Sequence, residues 1–118
     1  MPRILIVEDE PTVRDLLCEL LGTSHECVAV GSAEEGLVIL RTERFDAAIT
    51  DVALRGMGGE EFLKAARGLD PGLPVIVMTG ADSDERKFLE AGAFGFLLKP
   101  FRFEEIKEMV ERALGSIS

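Results

Sequence analysis

The sequence predicts a doubly wound α/β domain with a five-stranded parallel sheet and five helices. Three observations predict it. Short aliphatic runs alternate with longer amphipathic ones along the 118 residues. The aliphatic runs are nearly continuous in apolar residues, the pattern of strands buried on both faces. Five strand-then-helix repeats imply crossover connections, and right-handed crossovers place helices on both sides of the sheet.

Taken in order, Ile4–Val7 reads as the first strand and ends in Glu8, Asp9 and Glu10. Pro11 suits a first helical turn, and Val13, Leu16, Leu17, Leu20 and Leu21 share one face before Gly22. Cys27–Val30 is the second strand and the least strongly patterned of the five. Ser32 with Glu35 reads as a capping box opening a helix to about Arg41. Ala47–Thr50 is the third strand, with Asp51 at its end. Phe62, Leu63 and Ala66 recur at helical spacing between Gly59 and Arg67.

Val75–Met78 is the fourth strand, closed by Thr79. A helix over Asp82–Ala91 begins with acids and stops before Gly92. Gly95–Leu98 is the fifth strand, followed by Lys99. Phe103, Ile106, Val110, Ala113 and Leu114 form the inner stripe of a last helix, stopped by Gly115. Arg102 stands where an Asp or Ser would cap that helix. Only Gly115–Ser118 reads as a frayed end, so residues 1–118 are expected to be a single domain with no output domain.

Composition narrows the function. A net charge of -9 disfavours nucleic acid and anionic membrane surfaces, and suits a cation or a partner with a basic face. No run is long enough to span a bilayer, and the one after Arg3 is too short for a signal peptide, so a cytoplasmic location is expected. Cys18 and Cys27 lack a CxxC spacing and read as small buried hydrophobes in a reducing compartment. His25 reads as a loop residue.

In a doubly wound sheet, ligands bind beyond the carboxyl ends of the strands, near the reversal of strand order. The residues there are Glu8 and Asp9, Asp51, Thr79 and Lys99. Two like charges about 4 Å apart cost on the order of 4 kcal/mol at an effective dielectric near 20, so three carboxylates on one rim call for positive charge. Lys99 supplies one, and a hard divalent cation such as Mg²⁺ suits the oxygen donors. A carboxylate, a hydroxyl, an ammonium and a metal together suggest phosphoryl transfer onto the carboxylate. Solvated acids at helix N-termini are the plainer reading. It weighs less, because the acids come from different strands and meet Thr79 and Lys99.

"VEDE" (Val7–Glu10), "TD" (Thr50–Asp51), "MTG" (Met78–Gly80) and "LKPF" (Leu98–Phe101) together resemble the receiver domain of bacterial two-component response regulators. The resemblance covers essentially the whole chain, in order and at matching spacing. It implies a flavodoxin-like strand order of 2-1-3-4-5. It implies Asp51 as the phosphoacceptor, with Mg²⁺ or Mn²⁺ held by Glu8, Asp9, Asp51 and the backbone carbonyl of Ala53. Thr79 and Lys99 are implied as phosphate-binding groups, Phe96 as the aromatic switch, and Lys99–Pro100 as a candidate cis bond.

The implied phosphodonor is the phosphohistidine of a sensor histidine kinase or a histidine phosphotransfer protein. The implied output is partner binding or homodimerisation through the fourth helix, fifth strand and fifth helix, with no direct nucleic-acid or membrane contact. The family often reads Met-Pro-x-Met-Asp-Gly after the phosphoacceptor. Here the stretch is Leu54-Arg55-Gly56-Met57-Gly58-Gly59, which should be looser, with Arg55 solvated.

Three competing functions fit less well. An aspartate-nucleophile phosphatase needs an acid where Ala53 stands. A flavin carrier needs phosphate donors after the first strand, where this chain has Glu8-Asp9-Glu10. A constitutive scaffold has no need of Asp9, Asp51, Thr79 and Lys99 together. Ala53 and Ala81 offer nothing to position an attacking water, which points to slow self-dephosphorylation.

Overall fold

The computed structural model describes residues 1–80 and 85–115. Five parallel strands, β1 (Arg3–Val7), β2 (Glu26–Val30), β3 (Ala47–Asp51), β4 (Val75–Thr79) and β5 (Gly95–Leu98), form one sheet in the order β2-β1-β3-β4-β5. Five helices alternate with them: α1 (Pro11–Leu21), α2 (Ala33–Thr42), α3 (Gly59–Leu69), α4 (Glu85–Glu90) and α5 (Phe103–Ala113). The predicted strands agree to within a residue at each end. The expected start of the fourth helix at Asp82 lies outside the described residues, as does most of the expected frayed end.

The period of two along each strand sorts the core into two layers. Leu5, Val7, Ala48, Val75 and Val77 face the side covered by Leu37 of α2 and Phe62, Leu63 and Ala66 of α3. Ile4, Ile6, Ile49, Ile76 and Met78 face the other side, covered by Leu17 and Leu21 of α1 and Ile106 and Val110 of α5. β3 and β4, inside the sheet, are buried along their whole length. β2 is an edge strand, so its middle residues are only half-buried. That corrects the expectation for Cys27, and Cys18 on α1 is likewise half-buried; both thiols are free.

Local chemistry starts the helices. Ser32 accepts the Glu35 N–H at 3.1 Å and donates its hydroxyl to the Glu35 carboxylate at 3.2 Å, which fixes the entry to α2. α5 has no side-chain cap from Arg102; instead the Glu105 carboxylate accepts the Arg102 N–H at 3.0 Å. His25 lies in the turn before β2, with Nδ1 2.9 Å from the Leu21 carbonyl. At the end of the sheet away from the strand carboxyl termini, Arg3 binds the carboxylates of Glu26 and Glu43 and the Arg44 carbonyl, and lies 4.6 Å from the Phe45 ring centre. Among the described residues, no helix is long and apolar enough to cross a membrane.

Candidate functional site

The order β2-β1-β3 makes the chain depart in opposite directions from β1 and β3, and the crevice at their carboxyl ends is the place such sheets offer a ligand. Val7 pairs with Thr50, so the residues that follow them, Glu8 and Asp51, emerge side by side. Asp51 pairs with Met78 and Thr79 with Leu98, which brings Thr79 and Lys99 to the same rim. The Lys99 N–H extends the ladder by donating to the Thr79 carbonyl at 2.8 Å.

Asp51 is only 6% exposed. Its Oδ1 accepts the Ala53 N–H at 3.0 Å, and its Oδ2 accepts from Lys99 Nζ at 2.5 Å. Lys99 Nζ also lies 3.5 Å from Glu8 Oε1. Glu8 is 1% exposed, and its Oε2 accepts the Glu10 N–H at 3.1 Å, so both its oxygens are engaged. Burial pushes the Glu8 carboxyl above its ordinary value, opposed by the Glu10 N–H and the Lys99 charge and reinforced by Asp51. For Lys99, burial works downward, but the bond to Asp51 and the attraction of both carboxylates outweigh it and hold the ammonium above its usual value.

Asp9 is half-buried at the mouth of the crevice, and its Oδ2 accepts the Arg55 N–H at 3.2 Å. Thr79 is buried, and its hydroxyl donates to the Gly80 carbonyl at 3.2 Å. The Lys99–Pro100 peptide bond is cis. Glu8, Asp51 and Lys99 therefore touch directly, while Asp9, Ala53 and Thr79 stand around them. Phe96 is further off, half-buried on β5 against the α2–α3 layer of the core. The Arg55 side chain is exposed, and it is the backbone of this residue that engages the pocket.

Sequence reasoning missed two residues here. Arg14 donates from its guanidinium to the Glu8 carbonyl at 3.1 Å, bracing the turn that carries the acids. Its place in the first turn of α1, six residues after Glu8, was the only signal. Glu34 accepts the Met57 N–H at 3.3 Å across from α2, a contact with no signature in local sequence.

One ammonium meets two carboxylates, Glu8 and Asp51, with Asp9 nearby as a third, so negative charge exceeds positive and a cation suits the rim. Among the described residues, no three His, Cys, Asp or Glu side chains gather closely enough to hold a metal by themselves. The oxygen donors at hand are the carboxylates of Asp9 and Asp51, the buried Glu8 beside Asp51, and the backbone of Ala53. Such a sparse, hard donor set fits Mg²⁺, which usually keeps several waters and takes one or two carboxylates.

The family model for the response regulator receiver domain matches residues 4–111. The chain is 39% identical to the response regulator protein FleR of Pseudomonas aeruginosa over 119 residues, covering 98% of this chain and 25% of FleR. It is 33% identical to the transcriptional regulatory protein ZraR of Salmonella typhimurium over 115 residues, covering 95% of this chain and 26% of ZraR. The chain thus spans about a quarter of the length of these relatives. The structure of a CheY-like receiver domain protein from Methanospirillum hungatei superposes with a TM-score of 0.93 at 33% identity, covering 98% of this chain and 95% of that one. With fold, rim and family in agreement, the chain belongs to the response regulator receiver domain family, whose members are phosphoacceptor switches of two-component signalling.

Proposed function

We propose that Asp51 is the phosphoacceptor, fed by the phosphohistidine of a sensor histidine kinase or a histidine phosphotransfer protein. The observation that carries this is the buried Asp51 carboxylate, held on one oxygen by the Ala53 N–H and on the other by Lys99. An Asp51 oxygen forms the new O–P bond as the donor's N–P bond breaks. The electron pair stays on the imidazole nitrogen, which takes a proton from solvent. Lys99, already bonded to the attacking carboxylate, is the cation at hand to meet the charge that gathers on the phosphoryl oxygens. Glu8, Asp9, Asp51 and the Ala53 carbonyl are the groups that would hold Mg²⁺. A bound divalent cation would offset the repulsion between the carboxylates and the phosphoryl group.

The product carries more charge and more acceptor oxygens than the carboxylate it replaces. In this reading the Thr79 hydroxyl turns from the Gly80 carbonyl to the phosphoryl group, Lys99 exchanges its bond to Asp51 for one to phosphate, and Phe96 moves inward. The result is a population shift that alters the face formed by α4, β5 and α5. A partner or a second copy binds there. The protein acts as a switch rather than as an enzyme with a separate substrate, and it works in the cytoplasm.

Borohydride trapping tests the assignment. Treating the protein with acetyl phosphate and Mg²⁺, then reducing the acyl phosphate, converts the modified aspartate to homoserine. Peptide mass mapping should find homoserine at position 51. Homoserine at Asp9, or at no position despite phosphate incorporation, would remove Asp51 from this role.

A further inference from the structure

The stretch between β3 and α3 carries Ala53 and is rich in glycine, so its order has to come from elsewhere. Gly56 takes a positive φ of 75°, a conformation that suits glycine. The residues on either side of it each donate a backbone N–H to a carboxylate from a distant element. Arg55 donates to Asp9 Oδ2 at 3.2 Å, and Met57 donates to Glu34 Oε2 at 3.3 Å. The Glu34 carboxylate lies against the turn so closely that a Cβ at Gly56 would sit 2.9 Å from Oε2. Asp9 has a reason to be there as a metal ligand. Glu34 stands in the first turn of α2, which contributes none of the groups assigned above to metal or phosphate.

We propose that Glu34 is a positioning residue for the metal pocket. Its carboxylate holds the Met57 N–H and, through it, the stretch that presents Ala53. The inference rests on the metal reading above. A glycine-rich segment loses much conformational freedom when it is ordered, and a segment ordered beforehand does not charge that loss to metal binding. The clamp takes over a task that a proline performs by stiffening the chain: Arg55 keeps an N–H that proline lacks, and Glu34 secures the far side of the turn.

The test uses the whole chain and Mg²⁺ itself, followed by amide NMR because the sequence has neither Trp nor Tyr. Glu34→Ala should weaken Mg²⁺ binding about threefold to tenfold, the range of one lost hydrogen bond. It should also speed hydrogen exchange at the Met57 amide. Glu34→Gln keeps an acceptor oxygen without the charge. It should bind within about twofold of the parent and leave the Met57 amide protected.

Equal losses in both variants, with the Met57 amide unmoved, would mean that Glu34 acts only by its charge at a distance, and would overturn the inference. So would unchanged binding in Glu34→Ala. If the parent chain itself fails to bind Mg²⁺, the metal reading falls and the clamp falls with it. Thermal midpoints of both variants near that of the parent confirm that folding is intact, since Glu34 is exposed.

Discussion

Two glycines of α3 should respond oppositely to the same added methyl group. A Cβ at Gly59 would lie 2.3 Å from the Asp51 carbonyl oxygen and 2.7 Å from the Val52 Cα. Both are backbone atoms, so no side chain can swing aside. Ordinary contact begins at about 3.4 Å, so the strand end must shift by about an ångström. Overpacking of this kind costs about 1–3 kcal/mol. At Gly68, near the other end of the same helix, nothing lies within 4 Å of the added carbon. There the gain in helix propensity should stabilise by up to about 1 kcal/mol.

For a chain of this size, 1 kcal/mol corresponds to roughly 3–5 °C in Tm. Gly59→Ala should therefore melt about 3–15 °C below the parent and Gly68→Ala a few degrees above it, as measured by circular dichroism. Because the displaced backbone is that of Asp51, Gly59→Ala should also slow phosphorylation by acetyl phosphate, while Gly68→Ala should not. Equal midpoints for the two variants, or a Gly59→Ala protein as stable as the parent, would refute the close approach of α3 to the end of β3.

Further predictions concern charge and chemistry. Removing the Lys99 ammonium in Lys99→Met leaves Glu8 and Asp51 facing one another, which should destabilise the protein by about 1–3 kcal/mol. Mg²⁺ should restore part of that loss, as read from the thermal midpoint with and without the ion. Burial first, and then the neighbouring Cys18, push the Cys27 thiol up to about 11. Its alkylation at pH 9 should therefore run more than about tenfold slower in the folded protein than in denaturant. Since the folded state holds this proton more tightly, the contribution to stability is full below the unfolded pKa near 9 and declines as pH rises toward 11. The phosphoryl group should persist in the isolated protein, because Ala53 cannot orient a water; Ala53→Asn should hasten its loss by about tenfold, below the range of full general acid–base catalysis. Intact-mass time courses read this directly.

Much of the fold was legible because burial writes itself into sequence. Ile4–Val7 and Val75–Met78 are continuous apolar runs because both faces of the sheet are covered. The rim was legible because the residues that end strands are carboxylates, a threonine and a lysine, which a core does not otherwise need. β2 was the faintest strand for the reason the structure supplies: it lies at the edge and mixes exposed and half-buried positions. What sequence did not reveal are contacts made by backbone groups. The Arg55 N–H on Asp9, the Met57 N–H on Glu34 and the Glu8 carbonyl under Arg14 leave no side-chain signature, because every residue but proline has the same donor and acceptor. The glycine stretch therefore reads as loose from composition, yet two carboxylates from elsewhere in the chain hold it. Arg3 is similar: an arginine opening a strand gives no hint that it gathers Glu26, Glu43 and the Arg44 carbonyl from two other segments.

The central claim is that Asp51 accepts a phosphoryl group with the help of a divalent cation. Intact mass after incubation with acetyl phosphate tests it most directly, run with Mg²⁺, with EDTA, and beside Asp51→Asn. The account predicts one added phosphoryl group, present with Mg²⁺, lost with EDTA and absent in the variant. No adduct in the parent protein while Mg²⁺ still binds by NMR would contradict it, and would leave Asp51 as a metal ligand in a constitutive binding module.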